Sequence, residues 1–278
     1  MTIPTLDFHL DEQLCSGCGL CVTDCVTQIL ALDAHGHPAV HSGQEAGCLQ
    51  CQHCLAVCPT GAIAVAGRSP QDSLPLAPGA LPSLAQLDLL VRARRSVRQY
   101  LDADVDPALI ARLLLALEHA PTGVNSRRLT FTLIQDKAVL DQFRARVTGR
   151  LVAAAACGEL QGRAAELAQA QQQRDVVFRG APHLLVVSAP PDSPCPQQDV
   201  SLTLAYFELL AQSAGLGTLW LGYLRRIFES VPDLKTLLGL PPDHVYYAML
   251  FGYPRVSYAR TVQREGGARI RRIEALSA

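Results

Sequence analysis

Eight of the ten cysteines in the chain lie between Cys15 and Cys58, in two runs of one pattern. Cys15, Cys18, Cys21 and Cys25 form the first run, and Cys48, Cys51, Cys54 and Cys58 the second, each C-x2-C-x2-C-x3-C. Three cysteines at this spacing wrap a short loop around one corner of an iron–sulfur cubane, while the fourth points away towards a second cluster. The spacing therefore predicts two [4Fe–4S] clusters. Cys15, Cys18, Cys21 and Cys58 would hold one, and Cys48, Cys51, Cys54 and Cys25 the other. Gly17 and Gly19 suit a loop whose amides must approach cluster sulfides closely. Paired zinc sites, the competing chemistry, more often show two C-x2-C pairs split by a longer loop. With eight thiolates at hand, no ligand role is expected of His9, His35, His37, His41 or His53. Cys157 and Cys195 have no partner at motif spacing and read as buried or incidental thiols.

The rest of the composition frames this cysteine-rich segment. The chain has 278 residues, 49% of them hydrophobic and 18% charged, with a formal net charge of -1. Such a sequence has enough apolar material for a buried core and is not a disordered one. The near-zero charge hides a division. Residues 1–67 hold six acids and no Lys or Arg, so everything from Arg68 onward carries all 24 basic residues against 19 acids, a net of +5. The basic excess is scattered, which argues against nucleic-acid binding. No apolar stretch approaches ~18 residues, and Met1–Leu14 has no basic-then-apolar export pattern, so a cytoplasmic protein without a membrane span is expected. In a reducing compartment dense cysteines signal metal more often than disulfide.

The first segment resembles the bacterial-type two-cluster ferredoxin across roughly residues 5–66. That family usually places Pro after both fourth cysteines; here Pro59 follows Cys58, but Val26 follows Cys25. Ile29–Asp33 and Ile63–Val65 read as the short strands after each quartet. A Pro/Gly/Ser-rich connector with Pro70, Pro75, Pro78 and Pro82 is expected over residues 68–86, semi-extended and stiff. It divides a cluster domain (1–67) from a larger domain (87–278).

In the larger domain helical and strand patterns alternate. Asp106 caps a helix that has Pro107 at its first position, and Leu109, Leu113, Leu114 and Leu117 recur at helical spacing. Lys137–Arg150, residues 159–178 and Gln198–Ala214 also read as helices. Leu129–Gln135, His183–Ala189 and Val245–Phe251 read as strands. The fold class expected is α+β in both domains. No G-x-G-x-x-G follows a strand, and Gly215, Gly217 and Gly222 have the wrong spacing for a Rossmann unit. Trp220 and the aromatic residues near 206–207, 223 and 246–251 are expected in the core.

Four patches in this domain carry a second resemblance. They are Arg94-Arg95-Ser96-Val97-Arg98-Gln99-Tyr100, Ala120-Pro121-Thr122-Gly123-Val124-Asn125-Ser126, Ala214 through Gly222, and Phe251-Gly252-Tyr253-Pro254 followed by Arg255, Arg260 and Arg264. Alone, the first would be a solvated helix end and the second a turn. Together and in this order they resemble the nitroreductase family of FMN-dependent enzymes, from residue 88 to about 265. The resemblance implies an obligate homodimer with FMN at the interface. It implies that Arg94, Arg95, Ser96 and Arg98 contact the phosphate, the ribityl chain and the pyrimidine side of the ring, with Arg260 or Arg264 completing the phosphate site. Pro121, Thr122, Gly123 and Asn125 would face the flavin of the other chain, and the Leu221 and Gly222 amides would lie near its O4 and N5. Forked arginines suit a phosphate dianion. Relatives commonly follow the position of Ser126 with Gln-Pro; here Arg127-Arg128 put positive charge there instead.

Clusters move one electron at a time, and a flavin can collect them singly and deliver two. The combination predicts an oxidoreductase. An external low-potential donor, a ferredoxin or flavodoxin, would reduce the clusters, and these would reduce FMN. The flavin would then reduce a small nitro, quinone or enone compound. No catalytic side chain is expected, since flavin N5 does the chemistry. Two other readings stand beside it: a relay or sensor without small-molecule turnover, and an enzyme that acts on the flavin itself.

Overall fold

The computed structural model describes residues 6–264 and 266–274, so the outermost residues of both expected domains lie outside the described ones. The described residues divide into two units. One holds residues 6–81 together with Pro121–Arg127 and Ser193–Cys195; the other holds Pro82–Ala120, Arg128–Asp192 and the chain from Pro196.

The first unit is built on an internal repeat of 33 residues, the offset between every cysteine of one run and its counterpart in the other. Strand β1 (Phe8–Leu10), helix α1 (Leu20–Thr23), β2 (Leu30–Leu32) and β3 (Pro38–Val40) are followed by α2 (His53–Val57) and β4 (Ile63–Val65). β1 pairs antiparallel with β4, Phe8 opposite Val65, and β2 with β3, Leu30 opposite Val40. Both strands expected after the quartets are thus present. The apolar core is small, with Cys21, Ile29, Leu30 and Ile63 at its centre.

The repeat extends to backbone conformation. Gly17 and Gly19 have φ of 65° and 71°, and their counterparts Gln50 and Gln52 have 50° and 62°. Gln28 at 55° answers Gly61 at 65°. Positive φ is free for glycine and costs roughly 1–2 kcal/mol for other residues. The second run therefore adopts at a steric cost the conformation that the first obtains with glycine. Gln50→Gly and Gln52→Gly should each stabilise the cluster-loaded unit, by about 0.5–1 kcal/mol once the greater freedom of glycine in the unfolded chain is counted. Thermal bleaching of the cluster absorbance checks this; a lower midpoint would count against it.

The second unit starts with helix α3 (Leu84–Ala93), capped by a reciprocal Ser83–Gln86 pair. It begins inside the stretch read as connector, because that cap outweighs the Pro-rich composition around it. Then follow α4 (Pro107–Ala116), β5 (Thr130–Ile134), α5 (Lys137–Ala156), α6 (Arg163–Gln173), β6 (His183–Ala189), α7 (Pro196–Ser213), β7 (Gly217–Trp220), α8 (Gly222–Ser230) and β8 (Val245–Gly252). The four strands form one antiparallel sheet in the order β5-β6-β8-β7. Side chains alternate across it. Leu184, Val186, Ala248 and Leu250 meet α5, α6 and α8 on one face. Leu185, Val187, Met249 and Phe251 meet α4 and α7 on the other. All three expected strands form. α5 runs further than expected, to Ala156, and α6 is shorter than the Ala/Gln-rich stretch, because Gly158 and Gly162, both at positive φ, break the helical run between them. β7 and α8 were not foreseen, since Gly217–Gly222 carries no alternation. Of the aromatic residues expected in the core, Phe207 and Phe251 are fully buried, but Tyr206 and Tyr223 are exposed. Cys157 is exposed as well.

His183 is fully buried in β6, and its Nε2 accepts the Val105 amide at 2.8 Å. Burial holds its pKa below the ordinary value against the opposing pull of the Gln135 carbonyl, Asp104 and Asp136. The fold favours the neutral ring. Its contribution is therefore complete above the unfolded value of about 6.5 and is lost as pH falls through the lower folded value. The sheet unit should lose stability between neutral pH and pH 5, and His183→Gln should flatten that dependence. An equal slope in the variant would contradict the assignment.

Candidate functional site

The eight cysteines wall two separate cavities in the first unit. Cys15, Cys18, Cys21 and Cys58 line one, together with Leu10, Gly19, Pro38 and Ile63. Cys25, Cys48, Cys51 and Cys54 line the other, together with Phe8, Val26, Leu49 and His53. Each cavity thus takes three thiols from one run and the fourth from the other. The backbone turns donors towards the sulfurs: the Ala62 amide lies 3.3 Å from Cys58 Sγ and the Gln50 amide 3.4 Å from Cys48 Sγ. Thr27 and Thr60, counterparts in the repeat, stand 3.7 and 3.6 Å from Cys25 Sγ and Cys58 Sγ. Burial alone would push these two thiols up, but the threonine hydroxyls and neighbouring amides hold them below the ordinary value. Cys54 has weaker support, and burial pushes it up to about 11. Among the described residues no group of three or more His, Cys, Asp or Glu closes around a single metal ion. Four thiols with inward-facing amides are the donor set that a cubane takes. His53 reaches the rim of one cavity, where its Nδ1 lies 3.2 Å from Asp24.

In the second unit the Arg94–Tyr100 segment is clamped between β7 and the chain that follows β8. The Val97 amide donates to the Thr218 carbonyl at 2.8 Å, and the Arg255 amide to the Gln99 carbonyl at 2.9 Å. Gly217 permits this approach, since a Cβ there would lie 2.6 Å from the Val97 side chain. Arg94 Nη1 donates at 3.1 Å to Glu208 Oε1 on α7, a carboxylate whose side chain is only 8% exposed. Arg95 donates to the Arg92 carbonyl, while its buried Nε has no partner among the described residues. Arg98 is exposed and lines an open cavity of about 380 Å3 with Lys137, Arg144, Arg179 and Arg255. Lys137 and Arg144 are paired with Asp102, Asp141 and Asp175, so Arg98, Arg179 and Arg255 supply its excess positive charge. The orphaned Arg95 nitrogen and the basic cavity, which Arg95 does not line, each suit an anionic group.

At the end of β7 the Leu221 amide donates to the Ala248 carbonyl at 2.8 Å. Gly222 opens α8, where an amide has no acceptor within the helix. A Cβ on Gly222 would lie 2.9 Å from the Tyr247 hydroxyl. Arg260 and Arg264 lie exposed in the chain beyond β8. Pro121, Thr122, Gly123 and Asn125 belong to the first unit, although the sequence reading put them in the larger domain. Arg128 is bound by Asp192, with contacts of 2.9–3.2 Å. Reasoning from sequence missed Glu208, Lys137, Arg144 and Arg179, none of which stands near a motif.

Thiol-lined cavities in one unit and an arginine-lined sheet domain in the other mark an oxidoreductase. The nitroreductase family model matches residues 91–253, more than half of the chain, and a 4Fe–4S dicluster domain model matches residues 14–62. The chain belongs to the nitroreductase family, with an iron–sulfur domain ahead of the flavoenzyme fold. A protein of Archaeoglobus fulgidus named as an NADH dehydrogenase/NAD(P)H nitroreductase is 25% identical over 172 residues, 60% of this chain and 84% of that one. A protein of the same name from Methanothermobacter thermautotrophicus is 24% identical over 180 residues, 62% of this chain and 80% of that one. The crystal structure of a nitroreductase with bound FMN from Bacteroides fragilis aligns with a TM-score of 0.55 at 22% identity, covering 67% of this chain and 99% of that one. That likeness is one of fold.

Proposed function

We propose that this protein is an FMN-dependent reductase whose own two [4Fe–4S] clusters feed the flavin. An external low-potential one-electron donor, a ferredoxin or flavodoxin, loads the clusters, and a small nitro, quinone or enone compound is the final acceptor. The observation that carries this reading is the pair of four-thiol cavities on the same chain as the flavoenzyme fold. Cys15, Cys18, Cys21 and Cys58 would hold one cluster, and Cys25, Cys48, Cys51 and Cys54 the other. Arg94, Arg95, Ser96 and Arg98 would bind FMN, with Gly222 offering its amide to the ring and Arg260 or Arg264 closing the phosphate site from the C-terminal segment. When bound, the flavin supplies the conversion of single electrons into a two-electron reduction. Those residues would bind and orient it, and Arg98 would offset negative charge on its reduced form.

A homodimer is part of this reading. Leu84, Leu87, Leu89 and Val91 of α3 are all exposed, as are Val262, Ile270 and Ile273 near the C-terminus. A ten-residue helix with no buried side chain is the surface a second copy would cover. The names of the archaeal relatives favour a second source of electrons, a nicotinamide. Purified anaerobically, the protein should contain about eight iron, eight acid-labile sulfide and one FMN per chain. It should turn over a quinone or nitroaromatic compound with a reduced one-electron donor. Zinc in place of iron would overturn the cluster half of the proposal, and rapid flavin reduction by NAD(P)H alone would overturn the donor half.

A further inference from the structure

Resting on that reading, we propose that the cluster at Cys25, Cys48, Cys51 and Cys54 is the one that hands electrons to the flavin, and that they leave it through the contact between Leu49 and Asn125. Asn125 Nδ2 donates to the Leu49 carbonyl at 2.8 Å, across 76 positions of sequence. Leu49 directly follows Cys48 and lies within the loop that carries Cys51, and it lines the same cavity as those thiols. The Pro121–Arg127 loop belongs to the same unit as the cysteine runs. It is held in one conformation from within. The Arg127 amide donates to Thr122 Oγ1 at 3.0 Å, and the Asn125 and Ser126 amides donate at 3.0 Å to the Thr122 and Gly123 carbonyls. Gly123 lies so close to Cys195 that a Cβ would meet its Sγ at 2.9 Å.

The loop also stores strain. Val124, Asn125 and Arg127 all have positive φ, at 49°, 54° and 50°. Asparagine tolerates this region, but a β-branched valine there is a true outlier that surrounding contacts must impose. The loop that the flavin reading assigns to the FMN of the partner subunit is therefore locked onto one quartet. The other quartet has an exposed thiol, Cys18, which suits it to receive electrons from outside. The path is then donor, first cluster, second cluster, flavin of the partner chain. Each passage oxidises the second cluster by one electron, which the low-potential donor restores through the first. Two passages and one proton from water reduce the flavin fully.

The test uses full-length dimer whose iron, sulfide and FMN contents have been measured first; a shortfall in wild type counts against the functional reading, not against this path. Wild type, Cys18→Ser, Cys51→Ser and Asn125→Leu are photoreduced anaerobically, and cluster and flavin bleaching are followed separately. Low-temperature EPR of the reduced clusters is recorded in parallel. Cys51→Ser should lose transfer from cluster to flavin although the remaining cluster is reduced. Cys18→Ser should lose the EPR signal of the other cluster, which assigns the two signals. Asn125→Leu should slow transfer at least tenfold and shift the EPR signal of one cluster only, the signal missing in Cys51→Ser. Loss of transfer in Cys18→Ser with retention in Cys51→Ser would overturn the proposal. So would an unchanged EPR spectrum in Asn125→Leu, a readout that stands even if the cysteine variants fail to assemble or the flavin dissociates.

Discussion

Arg94→Ala should release the flavin and also weaken the sheet domain, whereas Arg98→Ala should release the flavin alone. The difference lies in what each arginine touches. Arg94 neutralises Glu208, whose carboxylate is almost completely buried and among the described residues is otherwise reached by the Thr218 hydroxyl at 3.4 Å. Removing one partner of a buried pair leaves a desolvated charge behind, at about 3–5 kcal/mol for a fully buried pair. The Arg94 side chain is 31% exposed, which brings the expected loss below that range, to about 2–3 kcal/mol. Arg98 donates to the Ser96 carbonyl at 3.2 Å and otherwise faces the basic cavity, so its loss should leave the unfolding free energy within about 0.5 kcal/mol of wild type. Each arginine should contribute about 1.5–3 kcal/mol to flavin binding through charge-assisted hydrogen bonds, a loss of roughly ten- to a hundredfold in affinity. Adding Glu208→Gln to Arg94→Ala should restore most of the stability but none of the flavin. Titration of apoprotein with FMN, beside thermal unfolding of the same samples, checks both. Equal melting temperatures for the two single variants would remove the structural role given to Arg94.

Stripping iron should unfold the cysteine-bearing unit and leave the sheet domain standing. The apolar core of that unit is a handful of residues around Ile29, Leu30 and Ile63, and thiols form much of its two cavity walls. Segments this small need a staple beyond their own packing. Structural zinc supplies on the order of 10 kcal/mol of folding free energy in small domains, and a cluster held by four thiolates plays the same part. Because each run sends its fourth thiol to the other cavity, Cys25 and Cys58 tie the two halves of the repeat together. Cys58→Ala should therefore disorder the unit more than Cys18→Ala, which removes a ligand within one loop. Amide exchange after chelation should show residues 6–66 exchanging freely while β6 and β8 stay protected. Full protection of β1 and β4 in iron-free protein would contradict this account.

What could be read from the sequence was what is local in it. Spacing alone predicts the two groupings of four cysteines, and two cavities lined by those same groups of thiols appear in the structure. The Asp106–Pro107 helix start, the two strands after the quartets and the three strands at 129–135, 183–189 and 245–251 were legible for the same reason. What depended on distant contacts was not. Nothing near Arg94 announces Glu208, 114 positions away, and nothing in Pro121–Asn125 announces Leu49. The engagement of the Leu221 amide follows from β7 pairing with β8, a strand that carries no period of its own. Gln50 and Gln52 conceal a conformation that glycine would have advertised, and only the 33-residue repeat relates them to Gly17 and Gly19.

The measurement that bears most directly on the whole account is anaerobic stopped-flow spectroscopy of the oxidised dimer, mixed in turn with a reduced ferredoxin and with NAD(P)H. With reduced ferredoxin, cluster absorbance should bleach first and flavin absorbance second, and both should return when a quinone is added. With NAD(P)H alone, both should stay oxidised on the same timescale. Immediate flavin bleaching by NAD(P)H, with the clusters remaining oxidised, would contradict the claim that the clusters feed the flavin.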